Sequence, residues 1–161
     1  MTTSVNVDFP ESRDQDDRLL RVDVRGPRFG ARVTMLVLGA AIVVQGPLGV
    51  ALVSYAVVQF AAATIWGVAA SPNARLFRFA RDRFGWGPAS ATESAAPPRF
   101  AQLCGLVVAG PGLAALLLGA STLGWVLVAI VLALSSVLAL TGLCVGCELY
   151  IVGARLRARR G

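Results

Sequence analysis

Histidine is absent from this 161-residue chain, and only three of its residues are cysteine. Without histidine no Ser-His-Asp relay can be assembled. The only four-ligand metal set on offer is the three cysteines with Glu148, a poor match to closed zinc sites, so no metal and no cofactor is expected. No phosphate-cradling glycine loop occurs, and nothing supports nucleic-acid binding. Charge is the second absence. The 15 basic and nine acidic residues fall in three blocks, 1–32, 71–99 and 148–161, which leaves 33–70 and 100–147 without a formal charge. With 56% hydrophobic and 15% charged residues, the chain carries more apolar surface than a small soluble domain can hide. An all-α integral membrane protein is therefore expected. No cleaved signal is expected either, because the first apolar run follows about 30 polar residues.

Each charge-free run is too long for one helix, since a bilayer core of about 30 Å takes roughly 20 residues. Gln45-Gly46-Pro47-Leu48-Gly49 supplies a turn in the first run, and Gly119-Ala120-Ser121-Thr122-Leu123-Gly124 one in the second. The reading is four transmembrane helices in two hairpins, at about 31–45, 48–70, 100–118 and 124–152. Pro111 should kink the third. Residues 1–24 read as a polar tail, 25–155 as the membrane domain and 156–161 as a basic tail. With arginines flanking the runs and uncharged hairpin tips, both termini and the central loop are expected on the cytoplasmic side.

Between the hairpins, residues 74–86 place Leu76, Ala80 and Phe84 four apart, with Arg75, Arg78 and Arg81 turned elsewhere. That spacing predicts a basic amphipathic helix on the membrane surface, touching anionic lipid and ending at Trp86. Pro27-Arg28-Phe29 at the start of the first hairpin recurs 71 residues later as Pro98-Arg99-Phe100. A tripeptide can repeat by chance in an arginine-rich chain. A genuine repeat would be parallel, both copies starting from the cytoplasm, with each arginine reaching lipid phosphate and each phenylalanine at the interface.

Cys144 and Cys147 form a Cys-x-x-Cys pair beside Glu148, and Cys104 lies on the third helix. Measured from the outer tip, the three sit roughly 22 Å (Cys104), 30 Å (Cys144) and 35 Å (Cys147) down their helices, close enough to meet if helices three and four pack together. Gly142 and Gly146, four apart, would let those backbones approach. Three chemistries stand open: simple packing, thiol redox or sulfur relay, and a metal. For redox, Glu148 and a helix carboxyl terminus oppose a thiolate, whereas Arg99 or Arg155 favours it. Cysteines three apart in an undistorted helix are poorly placed for a disulfide, so oxidation would require a local break, for which Gly146 is suited. Glu148 is read as an interfacial acid, paired with Arg155 or modulating the thiols.

Arg25-Gly26-Pro27-Arg28-Phe29, Ser71-Pro72 with Leu76-Phe77-Arg78, Pro97-Pro98-Arg99-Phe100-Ala101-Gln102 and Gly142-Leu143-Cys144-Val145-Gly146-Cys147-Glu148-Leu149-Tyr150 together resemble the bacterial family of domain of unknown function 4395. The resemblance spans 25–155 and implies a small multi-pass inner-membrane protein of the kind common in high-GC actinobacteria, which suits a chain whose 15 basic residues are all arginine. It also implies an association with thioredoxin-like or sulfur-transfer proteins. The expected function is a cytoplasmic-facing dithiol at Cys144 and Cys147, or a membrane scaffold whose cysteines only pack.

Overall fold

Asp23 and Ser94 do the same local job at the two ends of a short ribbon. Asp23 Oδ1 accepts the Arg25 N–H at 3.0 Å and Ser94 Oγ accepts the Ala96 N–H at 3.3 Å, each two residues ahead of a helix start. The fold is taken from a computed structural model that describes residues 21–23, 25–85, 87 and 92–158. In chain order these are β1 (Arg21–Asp23), α1 (Arg25–Val44), α2 (Gly46–Ile65), a 3-10 turn (Val68–Ala70), α3 (Pro72–Phe84), β2 (Thr92–Ser94), α4 (Ala96–Leu117), α5 (Ser121–Thr141) and α6 (Val145–Ala158).

Helices α1, α2, α4 and α5 have 20, 20, 22 and 21 residues, and each is long and apolar enough to cross a membrane. Proline in the first turn starts α2, α3 and α4, where its missing N–H costs nothing. Gln45, with φ 48°, is the single residue between α1 and α2. Inside the bundle the side chains are small: Ala41, Val53, Ala56, Ala109, Val128 and Val131 are buried around Leu38 and Phe60. Outside they are large and apolar, with Val43, Leu48, Val58, Val107 and Leu118 all exposed. Small residues within and aliphatic residues without is the distribution of helices that associate by close packing in lipid.

The two halves are copies of one another, and the Pro-Arg-Phe repeat marks them. Strand β1 pairs antiparallel with β2, Arg21 opposite Ser94, Val22 opposite Glu93 and Asp23 opposite Thr92. A shift of 71 residues carries Val22 onto Glu93, so a local twofold axis passes through that pair. In the core the same shift carries buried Leu38 onto buried Ala109, and a shift of 75 carries Val53 onto Val128 and Ala56 onto Val131. The close approaches repeat too. A Cβ on Gly49 would lie 2.8 Å from the Ala41 carbonyl oxygen, and one on Gly124 3.0 Å from that of Gly112. Such approaches leave room for hydrogen only.

Several expectations are corrected. The apolar stretch read as one helix over about 124–152 is two, because Gly142 takes φ 78° and ends α5, and the chain restarts at Val145. The tail and linker contribute β1 and β2, which the polar composition of those segments did not suggest. Helix α1 begins at Arg25 rather than about 31, its first turn fixed by Asp23, and α2 ends at Ile65 before a 3-10 turn. Helix α3 buries Asn73, Phe77 and Ala80, leaving Leu76 and Phe84 exposed. The side it turns to the bundle is set by polar partners, described below. Trp86 and residues 1–20 lie outside the described residues.

Candidate functional site

The break between α5 and α6 rebuilds the surroundings of every candidate residue. Cys144 stands at the cap position of α6: its carbonyl accepts the Glu148 N–H at 2.9 Å and its Sγ accepts the Cys147 N–H at 3.4 Å. Ser71 does the same for α3, its carbonyl accepting the Arg75 N–H at 3.1 Å and its Oγ the Ala74 N–H at 3.2 Å. Cys144-x-x-Cys147 is thus the second-half counterpart of Ser71-x-x-Ala74. Serine is a favoured cap and sulfur a weak acceptor, so cysteine at this position gives up capping strength.

The correspondence extends along both helices. Phe77, six residues after Ser71, packs on Phe29 with ring centroids 5.4 Å apart; Tyr150, six after Cys144, packs on Phe100 at 5.7 Å. Asn73 sits over Gly30, donating from Nδ2 to the Gly30 carbonyl at 3.3 Å, and Gly146 sits over Ala101, where a Cβ on Gly146 would lie 2.7 Å from the Ala101 Cβ. Glycine is required there because the α6 and α4 backbones touch. In the first half, by contrast, the contact is a polar knot. Asn73 also receives the Tyr55 hydroxyl on Oδ1 at 3.0 Å and donates its N–H to Gln59 Oε1 at 3.1 Å.

Both arginines of the repeat are exposed and reach a helix end. Arg99 donates from Nε to the Thr64 carbonyl at 2.8 Å and from a terminal nitrogen to that of Ile65 at 3.2 Å, closing the end of α2. The Arg28 guanidinium occupies the space where a Cβ on Gly142 would be, at the end of α5. Each half therefore supplies an arginine to the negative end of the other half's second long helix. The carbonyls that Arg99 reaches have no partner within their own helix.

The remaining candidates can now be located. Cys104, on α4, is half-buried and lines a cavity of about 130 Å³ together with Thr34, Phe60, Gln102, Ser135 and Cys144. The cavity lies between the halves, where symmetry fails: Phe60 of α2 packs on Gly105 of α4, while their counterparts, Ser135 of α5 and Thr34 of α1, are too small to fill the equivalent space. Cys147 does not line that cavity; it is tied to Cys144 through its N–H. Glu148 is exposed in the first turn of α6, where a helix amino terminus favours an acid, and among the described residues no ion pair joins it to Arg155. Gly142 and Gly146 do not share one helical groove. The thiol pair is at an amino terminus rather than a carboxyl terminus, which reverses the sign of the dipole expected from one continuous helix.

A family model described as Domain of unknown function (DUF4395) matches residues 22–155. The chain belongs to the DUF4395 family. No curated protein and no solved structure matches it. The DUF4395 match begins at the residue on the twofold axis and runs into α6, so both halves, both arginine caps and the cysteine pair lie within it. Sequence reasoning missed Ser71, Gln59 and Asn73. Ser71-Pro72 was a legible signal, since serine followed by proline is a helix start.

Proposed function

We propose that this chain is a multi-pass inner-membrane protein, two hairpins with α3 on the membrane surface, presenting a cytoplasmic dithiol for exchange with a soluble thioredoxin-like or sulfur-transfer partner. One observation carries the reading: at equivalent caps the first half keeps Ser71 and the second has Cys144, with Cys147 where the first half has Ala74. A helix amino terminus favours an anionic sulfur, and a cap residue lies outside helical geometry, so the pair need not unwind a helix to react. In the exchange, Cys144 thiolate attacks a partner disulfide and one partner thiolate leaves. Cys147 then attacks Cys144 Sγ, releasing the second partner thiolate and leaving a Cys144–Cys147 disulfide. Two electrons pass to the partner. The arginine-rich ends of the helices support a cytoplasmic orientation, where a reducing milieu keeps such a disulfide transient.

Trapping tests this. Cys147→Ser should accumulate a partner adduct on Cys144 that disappears on reduction, whereas Cys144→Ser should not; no adduct in either variant removes the proposal. The second reading, a scaffold, draws on the Gly146–Ala101 packing beside the pair. Under it, a Cys144→Ala, Cys147→Ala double variant retains full function in a deletion strain.

A further inference from the structure

A second cavity, of about 180 Å³, lies between the start of α1, the 3-10 turn and α3. One water needs only about 10–15 Å³ of such space, so there is room for a small molecule or headgroup. Two acceptors that line it are buried with no donor among the described residues: Asp23 Oδ2 and Gln102 Oε1. Asp23 uses its other oxygen on Arg25, Gln59 Oε1 takes the main-chain N–H of Asn73, and the Asn73 side-chain amide donates to the Gly30 carbonyl. Arg78 and Arg81 also line the cavity. One Arg78 terminal nitrogen is held by the Ala69 carbonyl at 2.7 Å and Arg81 Nε by Asp82 at 3.1 Å, which fixes both stems while other guanidinium N–H groups remain to donate.

These groups select a ligand by sign. A simple anion would satisfy the arginines and face the Asp23 carboxylate; a simple cation would do the reverse. A group with a hydrogen-bond-donating cation at one end and an anion at the other meets both requirements. The cavity is at the arginine-bearing end of the bundle, beside helices long enough to cross a membrane, where phosphate and ammonium groups of lipids reside. We propose that it binds an aminoalkyl phosphate such as phosphoethanolamine, with the ammonium on Asp23 Oδ2 and Gln102 Oε1 and the phosphate toward Arg78 and Arg81. The site occurs once and is not repeated by the twofold, since the equivalents of Asp23, Gln59 and Gln102 are Ser94, Leu134 and Ala31.

Native mass spectrometry of the full-length protein in detergent tests this, with phosphatidylethanolamine, phosphatidylglycerol and soluble phosphoethanolamine as probes. Phosphatidylethanolamine should be retained about tenfold over phosphatidylglycerol, the size of one charged hydrogen bond. Asp23→Asn keeps the acceptor for Arg25 and removes the charge; Gln102→Ala copies the residue of the other half. Both should abolish the preference while leaving phosphatidylglycerol retention unchanged. Displacement by soluble phosphoethanolamine at matched concentration marks a free metabolite as the ligand, and no displacement marks the lipid. Equal retention of the two lipids by the wild-type protein overturns the proposal, as does a preference that survives both substitutions.

Discussion

Replacing Cys144 by serine separates the cap from the nucleophile. Ser71, in the equivalent position, accepts the Ala74 N–H at 3.2 Å and donates to the Val68 carbonyl at 2.8 Å; Cys144 offers the Cys147 N–H a sulfur at 3.4 Å. A serine cap is worth about 1 kcal/mol over alanine, and a weak sulfur acceptor supplies only part of that. Cys144→Ser should therefore be neutral or stabilising by roughly 0.5 kcal/mol. Ser71→Ala loses both the cap and the bond to Val68, about 2 kcal/mol together. For a chain of this length, 1 kcal/mol moves the unfolding midpoint about 2–4 °C. The variants should thus melt about 1–2 °C above and 4–8 °C below the wild type, with Ser71→Cys between wild type and Ser71→Ala. Thermal unfolding in detergent followed by tryptophan fluorescence measures the order. A loss of about 1 kcal/mol or more in Cys144→Ser, or an unchanged Ser71→Ala, refutes the equivalence of the two caps.

Two further outcomes follow from the packing. Gly146→Val forces atoms into the Ala101 backbone and should cost about 1–3 kcal/mol while detaching α6, read as faster alkylation of Cys147 by a soluble maleimide. Asn73→Leu strands the Tyr55 hydroxyl and removes the donor to the Gly30 carbonyl while its main-chain N–H still reaches Gln59, and should cost about 1–3 kcal/mol, read as a lowered unfolding midpoint, whereas the same change at exposed Arg75 should leave it unmoved.

The four long helices were legible because hydropathy and the absence of charge are local properties that lipid-facing segments must have. The repeat was legible from three residues, and the structure supports it at positions the sequence does not repeat: Leu38 with Ala109, Phe77 with Tyr150, Ser71 with Cys144. Such pairs preserve a role rather than a residue type. The break before Cys144 was not legible, because Leu140 to Cys147 carries no charge and glycine in a helical pattern is ordinary. What stops α5 there is Gly142 in a left-handed conformation with Arg28 seated against it, and that arginine is 114 positions away. The bundle-facing side of α3 was not legible for a related reason: the bundle meets it with Gln59 and Tyr55, so Asn73 turns in and Leu76 out.

Sequence by itself therefore determined the apolar helices and the confinement of arginine to the segments that flank them, since each follows from composition along the chain. Only the tertiary structure decided that the arginines cap the opposite half, that the cysteine pair begins a helix, and that one cavity is lined by thiols and the other by unpaired acceptors. Those features depend on which helix end meets which side chain across the twofold axis, and spacing along the chain carries no record of that.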